Sequence, residues 1–94
     1  MINYGKHYID QKDIKAVIST LKSDFLTQGP KVIEFEKKLN SLCGSKYACV
    51  VSSGTAALHL AILSLGIKKN DYVITTPMTF LASANSILYA GARP

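Results

Sequence analysis

The spacing of apolar residues predicts two amphipathic helices in the first half of the chain. Asp10 is the expected N-cap of the first helix, and Pro30 is expected near the start of the second. Gly44 stands where a C-terminal cap of the second helix belongs. The apolar positions follow the spacing of one helix face in each case: Ile14, Val17, Ile18 and Leu21, then Val32, Phe35, Leu39 and Leu42.

The second half alternates between short apolar runs and helical patterns. Tyr47–Val51 is too short for a helix and is interpreted as a buried strand, and Tyr72–Thr75 as a second strand ended by a proline. The helix after the first strand is expected to stop at Gly66. The helix after the second is expected to be capped by Thr79 and to run through Leu88. The order α-α-β-α-β-α predicts an α/β protein with a parallel sheet covered by helices.

Two strands are too few for such a sheet. A parallel sheet needs further strands to satisfy its edges and to bury its apolar faces. The chain is therefore expected to be the opening part of a larger α/β protein, with an incomplete sheet. Taken alone, it is expected to expose strand edges and apolar helix faces and to self-associate.

The composition of the chain limits which kinds of binding partner it can have. The 94 residues carry a formal charge of +5, but the basic residues are spread along the chain, which argues against a nucleic-acid groove. Cys43 and Cys49 form no metal-binding or disulfide pattern and are expected to be free, partly buried thiols. No apolar run approaches the length of a membrane span, and no signal-peptide pattern stands at the N-terminus, so we expect no membrane association and a cytoplasmic protein.

Candidate chemistry lies where the first predicted strand turns into a helix. The turn Ser52-Ser53-Gly54-Thr55 places hydroxyls and unpaired backbone N–H groups at a helix N-terminus, which favours a bound anion such as a phosphate. A plain N-cap explains the same residues equally well. Phe80 follows the second strand at the equivalent point, where a flat ring can stack on an aromatic cofactor. The alternative for Phe80 is an ordinary core phenylalanine.

Three motifs in order carry a resemblance to a known family. Leu26–Pro30, Ser53–Leu60 and Thr75–Phe80 together resemble the N-terminal part of the DegT/DnrJ/EryC1/StrS family. Members are fold-type I, pyridoxal-phosphate-dependent aminotransferases that act on nucleotide-linked keto sugars. The resemblance extends from Tyr4 to Pro94. It implies that residues 1–30 form an N-terminal helix and substrate loop, and that residues 31–94 begin the cofactor-binding large domain.

The resemblance also implies roles for individual residues. Thr55 and Ala56 would offer backbone N–H groups to the phosphate of pyridoxal 5'-phosphate, and Thr55 its hydroxyl as well. Gly54 would lie against cofactor and substrate, and Phe80 would stack on the pyridine ring. The residues implied in binding the substrate are Tyr4, Asp24, Phe25, Leu26, Thr27 and Gly54.

The implied reaction is transfer of an amino group from glutamate to a nucleotide-activated keto sugar, with a UDP-linked 4-keto-6-deoxy-hexosamine as the nearest match. The product would serve surface-glycan biosynthesis, and a homodimer would share each active site between subunits. None of the ten lysines lies in the Ser-x-His-x-x-Lys context of the family's Schiff-base lysine, so this chain alone is expected to be inactive. Two alternatives stay open: a sugar 3-dehydratase of the same family, in which histidine replaces that lysine, and a non-catalytic phosphate-binding module.

Overall fold

The computed structural model describes residues 5–94, which contain four helices. They are α1 (Gln11–Leu21), α2 (Pro30–Cys43), α3 (Gly54–Ser64) and α4 (Ala82–Tyr89). The chain divides between Ala48 and Cys49 into two compact units, the first holding α1 and α2 and the second holding α3 and α4. Each of the four lies in a segment that the sequence predicts to be helical.

Local capping chemistry fixes the start of α1. The Asp10 carboxylate accepts the backbone N–H groups of Lys12 at 2.7 Å and Asp13 at 3.0 Å. The Asp13 carboxylate in turn accepts the Asp10 N–H at 3.0 Å, which completes a capping box. The predicted N-cap is confirmed.

Both predicted ends of α2 are also confirmed. Pro30 occupies the first turn, where its missing N–H costs nothing. Gly44 closes the helix with φ of 64°, a left-handed conformation that glycine adopts without steric cost. On its surface, Lys31 Nζ lies 2.7 Å from a carboxylate oxygen of Glu34. The hydrogen bond from Lys31, followed by the charge of Lys31, lowers the pKa of Glu34 below its ordinary value of 4.5.

In the second unit, α3 packs against α4. The half-buried face of α3 carries Thr55, His59 and Ile62, at the i, i+4, i+7 spacing of one helix side. On α4 the buried residues are Ala82, Ser86 and Ile87, of which Ile87 is only 1% exposed. The contact therefore joins small side chains and one large aliphatic side chain, and it forms the core of this unit.

The predicted N-cap of α4 is wrong. The helix begins at Ala82 with Leu81 as its N-cap, and no side chain caps it. Thr79 is placed before this start, and its hydroxyl lies 3.1 Å from the Ser83 hydroxyl. The Phe80 carbonyl accepts the Ser83 N–H at 3.0 Å, so a turn separates Thr79 from the helix. At the other end, Gly91 follows α4 with φ of 77°.

The two predicted strands are not formed as ladders within residues 5–94. Tyr47 is 77% exposed, although the sequence predicts its segment to be buried, and Ile74 in the second segment is fully exposed. The physical reason is that a strand is defined by a neighbour, and the described residues supply one rung: a parallel bridge between Tyr72 and Arg93. The Val73 N–H donates to the Arg93 carbonyl at 2.9 Å, and the Arg93 N–H to the Asp71 carbonyl at 2.8 Å. This bridge is parallel, and α4 lies between its two residues in the sequence.

Surface properties correct one further expectation. Cys43 and Cys49 are free as expected, but both are exposed rather than partly buried. Within residues 5–94 no helix combines the length and the apolar character that crossing a bilayer requires. In the same residues, no three His, Cys, Asp or Glu side chains gather in a group that could hold a metal ion.

Candidate functional site

The N-terminus of α3 is a capped turn with backbone N–H donors in defined positions. Ser53 is the N-cap, and its hydroxyl oxygen accepts the Ala56 N–H at 3.1 Å. The Ser53 carbonyl accepts the Ala57 N–H at 3.0 Å. Helix geometry gives the N–H groups of Gly54 and Thr55 no acceptor inside the helix. These two donors, at the positive end of the helix dipole, are the groups that an anion would meet.

A cleft of about 710 Å³ opens beside this turn. Gly54 and Thr55 line it from the start of α3, and Phe80 lines it from the segment before α4. The remaining lining residues are small or aliphatic: Ala57, Leu58, Ala61 and Ala82. No titratable side chain is among them, so an anion in the cleft would meet neutral donors and the helix dipole rather than a counter-charge from these residues.

Phe80 presents its ring to solvent and not to the core. The residue is 78% exposed, so its ring is not packed in a core formed by residues 5–94. Its carbonyl is held by the Ser83 N–H in the first turn of α4, so the position of its backbone depends on that helix. The ring also borders a second cleft of about 290 Å³, lined by Thr75, Thr76 and Thr79 among others.

Gly54 leaves room at the mouth of the larger cleft. A Cβ added at Gly54 would meet nothing within 4 Å, so the space above its backbone is open. A ligand can therefore approach the backbone closely at this point. The structure thus brings together three of the residues implied in cofactor binding: Gly54, Thr55 and Phe80. It places the fourth, Ala56, in a hydrogen bond with Ser53.

The implied substrate loop lies between α1 and α2, in the first unit. Asp24, Phe25, Leu26 and Thr27 are all exposed. The Ser23 hydroxyl lies 2.7 Å from the Thr20 carbonyl and 3.2 Å from the Phe25 carbonyl, at the base of this loop.

Close packing at the end of the loop restricts its conformation. Gln28 has φ of 50°, in the left-handed region that few side chains adopt. The next residue, Gly29, is buried, and a Cβ added to it would stand 2.9 Å from the Phe25 carbonyl oxygen. Tyr4, the remaining residue implied in substrate binding, lies outside the described residues.

One contact in the second unit was not expected from sequence. The rings of His59 and Tyr89 meet edge to face, with centroids 5.5 Å apart and planes at 67°. His59 therefore packs between α3 and α4. Its partner is 30 positions away, and no local periodicity signals such a pair.

The residues present fit a cofactor that combines a phosphate with a flat ring. The turn supplies backbone donors at a helix N-terminus, and the cleft beside it is apolar with an exposed aromatic side chain. The arrangement has the chemistry of the class of site that accommodates a phosphorylated aromatic ligand at the start of a helix.

Comparison with known proteins identifies the family. The model of the DegT/DnrJ/EryC1/StrS aminotransferase family matches residues 7–94. The chain belongs to this family.

Individual relatives are similar in sequence over nearly the whole chain. A UDP-4-amino-4,6-dideoxy-N-acetyl-beta-L-altrosamine transaminase of Campylobacter jejuni is 53% identical over 99% of this chain and 24% of its own length. The spore coat polysaccharide biosynthesis protein SpsC of Bacillus subtilis is 45% identical over 97% of this chain and 23% of its own. The solved structure of E. coli GDP-4-keto-6-deoxy-D-mannose-3-dehydratase with bound hydrated PLP matches with a TM-score of 0.85 and 33% identity, over 99% of this chain and 26% of that one.

These comparisons show the fold of the chain and how much of its relatives' length it spans. Likeness at this TM-score shows that residues of this chain take the fold of the corresponding part of a pyridoxal-phosphate-binding sugar enzyme. The chain spans about a quarter of the length of the curated relatives it matches.

Proposed function

We propose that this chain forms the phosphate- and ring-binding part of a pyridoxal-phosphate-dependent aminotransferase that acts on nucleotide-linked keto sugars. The observation that carries the proposal is the cleft in which Gly54 and Thr55, at the start of α3, stand with the exposed ring of Phe80. Family membership supports the reaction type, and the transaminase relative at 53% identity supports a UDP-linked 4-keto-6-deoxy sugar as substrate. The relative in spore coat polysaccharide biosynthesis supports a role in surface glycans.

In this proposal the residues of the cleft bind and orient the cofactor. Thr55 donates its backbone N–H and its hydroxyl to the phosphate, and the open space above Gly54 admits the phosphate close to the backbone. Ala56 adds its N–H when the phosphate replaces the Ser53 hydroxyl as acceptor. Phe80 lies against one face of the pyridine ring and excludes water from it. When bound, the cofactor supplies the electron sink that allows an amino group to move from glutamate to the sugar.

Substrate recognition is assigned to other residues. The exposed loop Asp24, Phe25, Leu26 and Thr27 and the N-terminal Tyr4 would contact the nucleotide sugar, and Gly54 would border it. The packing of Gly29 against Phe25 supports a loop of defined shape.

We assign the protein to a homodimer in the cytoplasm, with an active site shared between subunits. The free, exposed thiols of Cys43 and Cys49 support a reducing compartment.

The decisive experiment uses the intact protein that carries this chain, purified with pyridoxal phosphate. Borohydride reduction should fix the cofactor covalently to a lysine, and peptide mapping should locate that lysine outside residues 1–94. Incubation with glutamate before reduction should prevent the fixation, because the amino group is then on the cofactor. A protein that stays colourless and takes up no cofactor would contradict the proposal.

The second candidate function is a sugar 3-dehydratase of the same family. It is favoured by the match to the E. coli 3-dehydratase at 33% identity over nearly the whole chain. The same experiment separates the two, because an enzyme with histidine at the Schiff-base position binds the cofactor without being fixed to it by borohydride. Cofactor retained but not fixed would select the dehydratase.

A further inference from the structure

One face of α3 carries both a residue of the cleft and a residue that contacts α4. Thr55 and His59 are four residues apart on α3, so their side chains lie one turn apart on the same side. Thr55 borders the cleft, whereas His59 contacts Tyr89 at the last residue of α4. The ring contact between His59 and Tyr89 therefore belongs to the α3–α4 interface. The position of Phe80 relative to Thr55 depends on this same interface.

Phe80 depends on α4 for its position. Its carbonyl accepts the Ser83 N–H at 3.0 Å, and the Leu81 carbonyl after it accepts the Asn85 N–H at 3.0 Å. Ala82, which follows these residues, is buried in the helix contact and lines the cleft. A shift or roll of α4 against α3 would therefore carry the ring of Phe80 with it.

Most other side chains in this contact are small. Ala82 and Ser86 are buried on α4, and Ala57 and Ala61 line the α3 side of the cleft, whereas Ile87 is the one large buried side chain. Burial of an aliphatic side chain such as Ile87 is non-directional, so it holds α4 against α3 without selecting an angle. An edge-to-face ring pair, in contrast, has a preferred distance and angle, and the pair at 5.5 Å and 67° meets both.

We propose that His59, through its ring contact with Tyr89, is a positioning residue that sets the separation between the phosphate donors at Thr55 and the stacking ring of Phe80. The inference rests on the proposed cofactor site and deepens it. It assigns no chemistry to His59, which touches neither cleft. Its effect is on ligands that span both halves of the site.

The test compares one bipartite probe with its two halves. Pyridoxamine 5'-phosphate carries the phosphate and the ring, and its amine cannot condense with lysines. Inorganic phosphate and pyridoxine each offer one half. Dissociation constants of the three are measured for the intact protein by NMR titration or calorimetry, alongside the free energy of unfolding from urea titration.

Replacing either ring should weaken the binding of pyridoxamine 5'-phosphate only, because this probe alone carries both the phosphate and the ring. His59→Leu and Tyr89→Leu should each weaken pyridoxamine phosphate about three- to tenfold, the range that one ring contact supports. Binding of phosphate alone and of pyridoxine alone should not change, because neither senses the separation. His59→Phe and Tyr89→Phe keep a ring edge and should bind as the unaltered protein does. Leu60→Ala, on the same helix but outside the cleft, is the matched control.

The double variant decides whether His59 acts through Tyr89. His59→Leu with Tyr89→Leu should lose no more affinity than either single variant, because both remove the same contact. Additive losses, equal weakening of all three probes, or unchanged binding of pyridoxamine phosphate would each overturn the inference. If His59→Leu does not fold, Tyr89→Leu, at the exposed end of α4, carries the same test. An unaltered protein that binds pyridoxamine phosphate no better than phosphate alone would instead refute the proposed cofactor site.

Discussion

At the scale of single residues, Phe80 makes the most direct prediction about the site. Phe80→Ala removes the exposed ring that borders the cleft and should weaken cofactor binding by roughly three- to tenfold, the value of one aromatic stacking contact. Equilibrium dialysis of the intact protein against pyridoxal phosphate measures it. Met78→Ala is the control, because Met78 is 92% exposed on the same segment. Equal affinity in both variants would mean that Phe80 does not touch the cofactor.

Gly29 makes a different prediction, one about the substrate loop. Gly29→Ala would place a methyl group 2.9 Å from the Phe25 carbonyl oxygen and 3.0 Å from its Cβ, so the loop backbone must move. Overpacking of this kind costs about 1–3 kcal/mol. Urea denaturation should show that loss, and the KM for the nucleotide sugar should rise as Phe25 is displaced. Gly5→Ala should be neutral, because an added Cβ there meets nothing within 4 Å.

At the scale of elements, the charge pair on α2 predicts a pH dependence. Lys31 lowers the pKa of Glu34 below 4.5, so the pair stabilises the folded state fully above about that pH and loses its contribution as the pH falls through the lowered pKa. Glu34→Gln should therefore be less stable than the unaltered protein near neutral pH. The difference should vanish in more acidic solution. Thermal unfolding at several pH values measures it, and a difference that persists at low pH would show another cause.

The helices could be predicted from sequence because their signals are local. Asp10 with Asp13, Pro30 and Gly44 lie within a few residues of the ends they define, and each end is where these residues predict. Thr79 failed as a cap because a turn, closed by the Ser83 N–H on the Phe80 carbonyl, comes between it and α4. Capping preference identifies a suitable residue type but not the turn that precedes a helix.

Strands and ring contacts depend on residues far away in sequence. Tyr47–Val51 has the composition of a strand, but it is not part of a ladder within the part of the chain that the structure describes. The meeting of Gly54, Thr55 and Phe80 in one cleft was predictable because both turns follow strand-like runs at equivalent points. The pair His59 and Tyr89 was not, since nothing near either residue marks the other.

At the scale of the whole molecule, little apolar surface is covered. Within residues 5–94 the buried hydrophobic residues are Ala82, Ile87 and Ala92, whereas the α1 face of Ile14, Val17, Ile18 and Leu21 stands between 42% and 63% exposed. The 94-residue chain alone should therefore associate in a concentration-dependent manner. Light scattering measures it, and a stable monomer of 10.2 kDa would contradict it. Ile18→Glu should reduce association more than Lys15→Glu, which adds the same carboxylate to the same helix.

The single rung between Tyr72 and Arg93 bears on how the chain folds. It joins two residues 21 positions apart, on either side of α4, and the Arg93 side chain also donates to the Tyr72 hydroxyl at 3.1 Å. The entropy lost in closing a loop rises only slowly with loop length. Most of the loop-closure entropy for these two segments is therefore lost when this first rung forms. Each further residue added to the ladder then gains a hydrogen bond for little additional ordering. The rung also fixes which residue faces which, so later pairing begins in register. Tyr72 and Arg93 thus join two segments of the chain in a parallel direction and in one defined register.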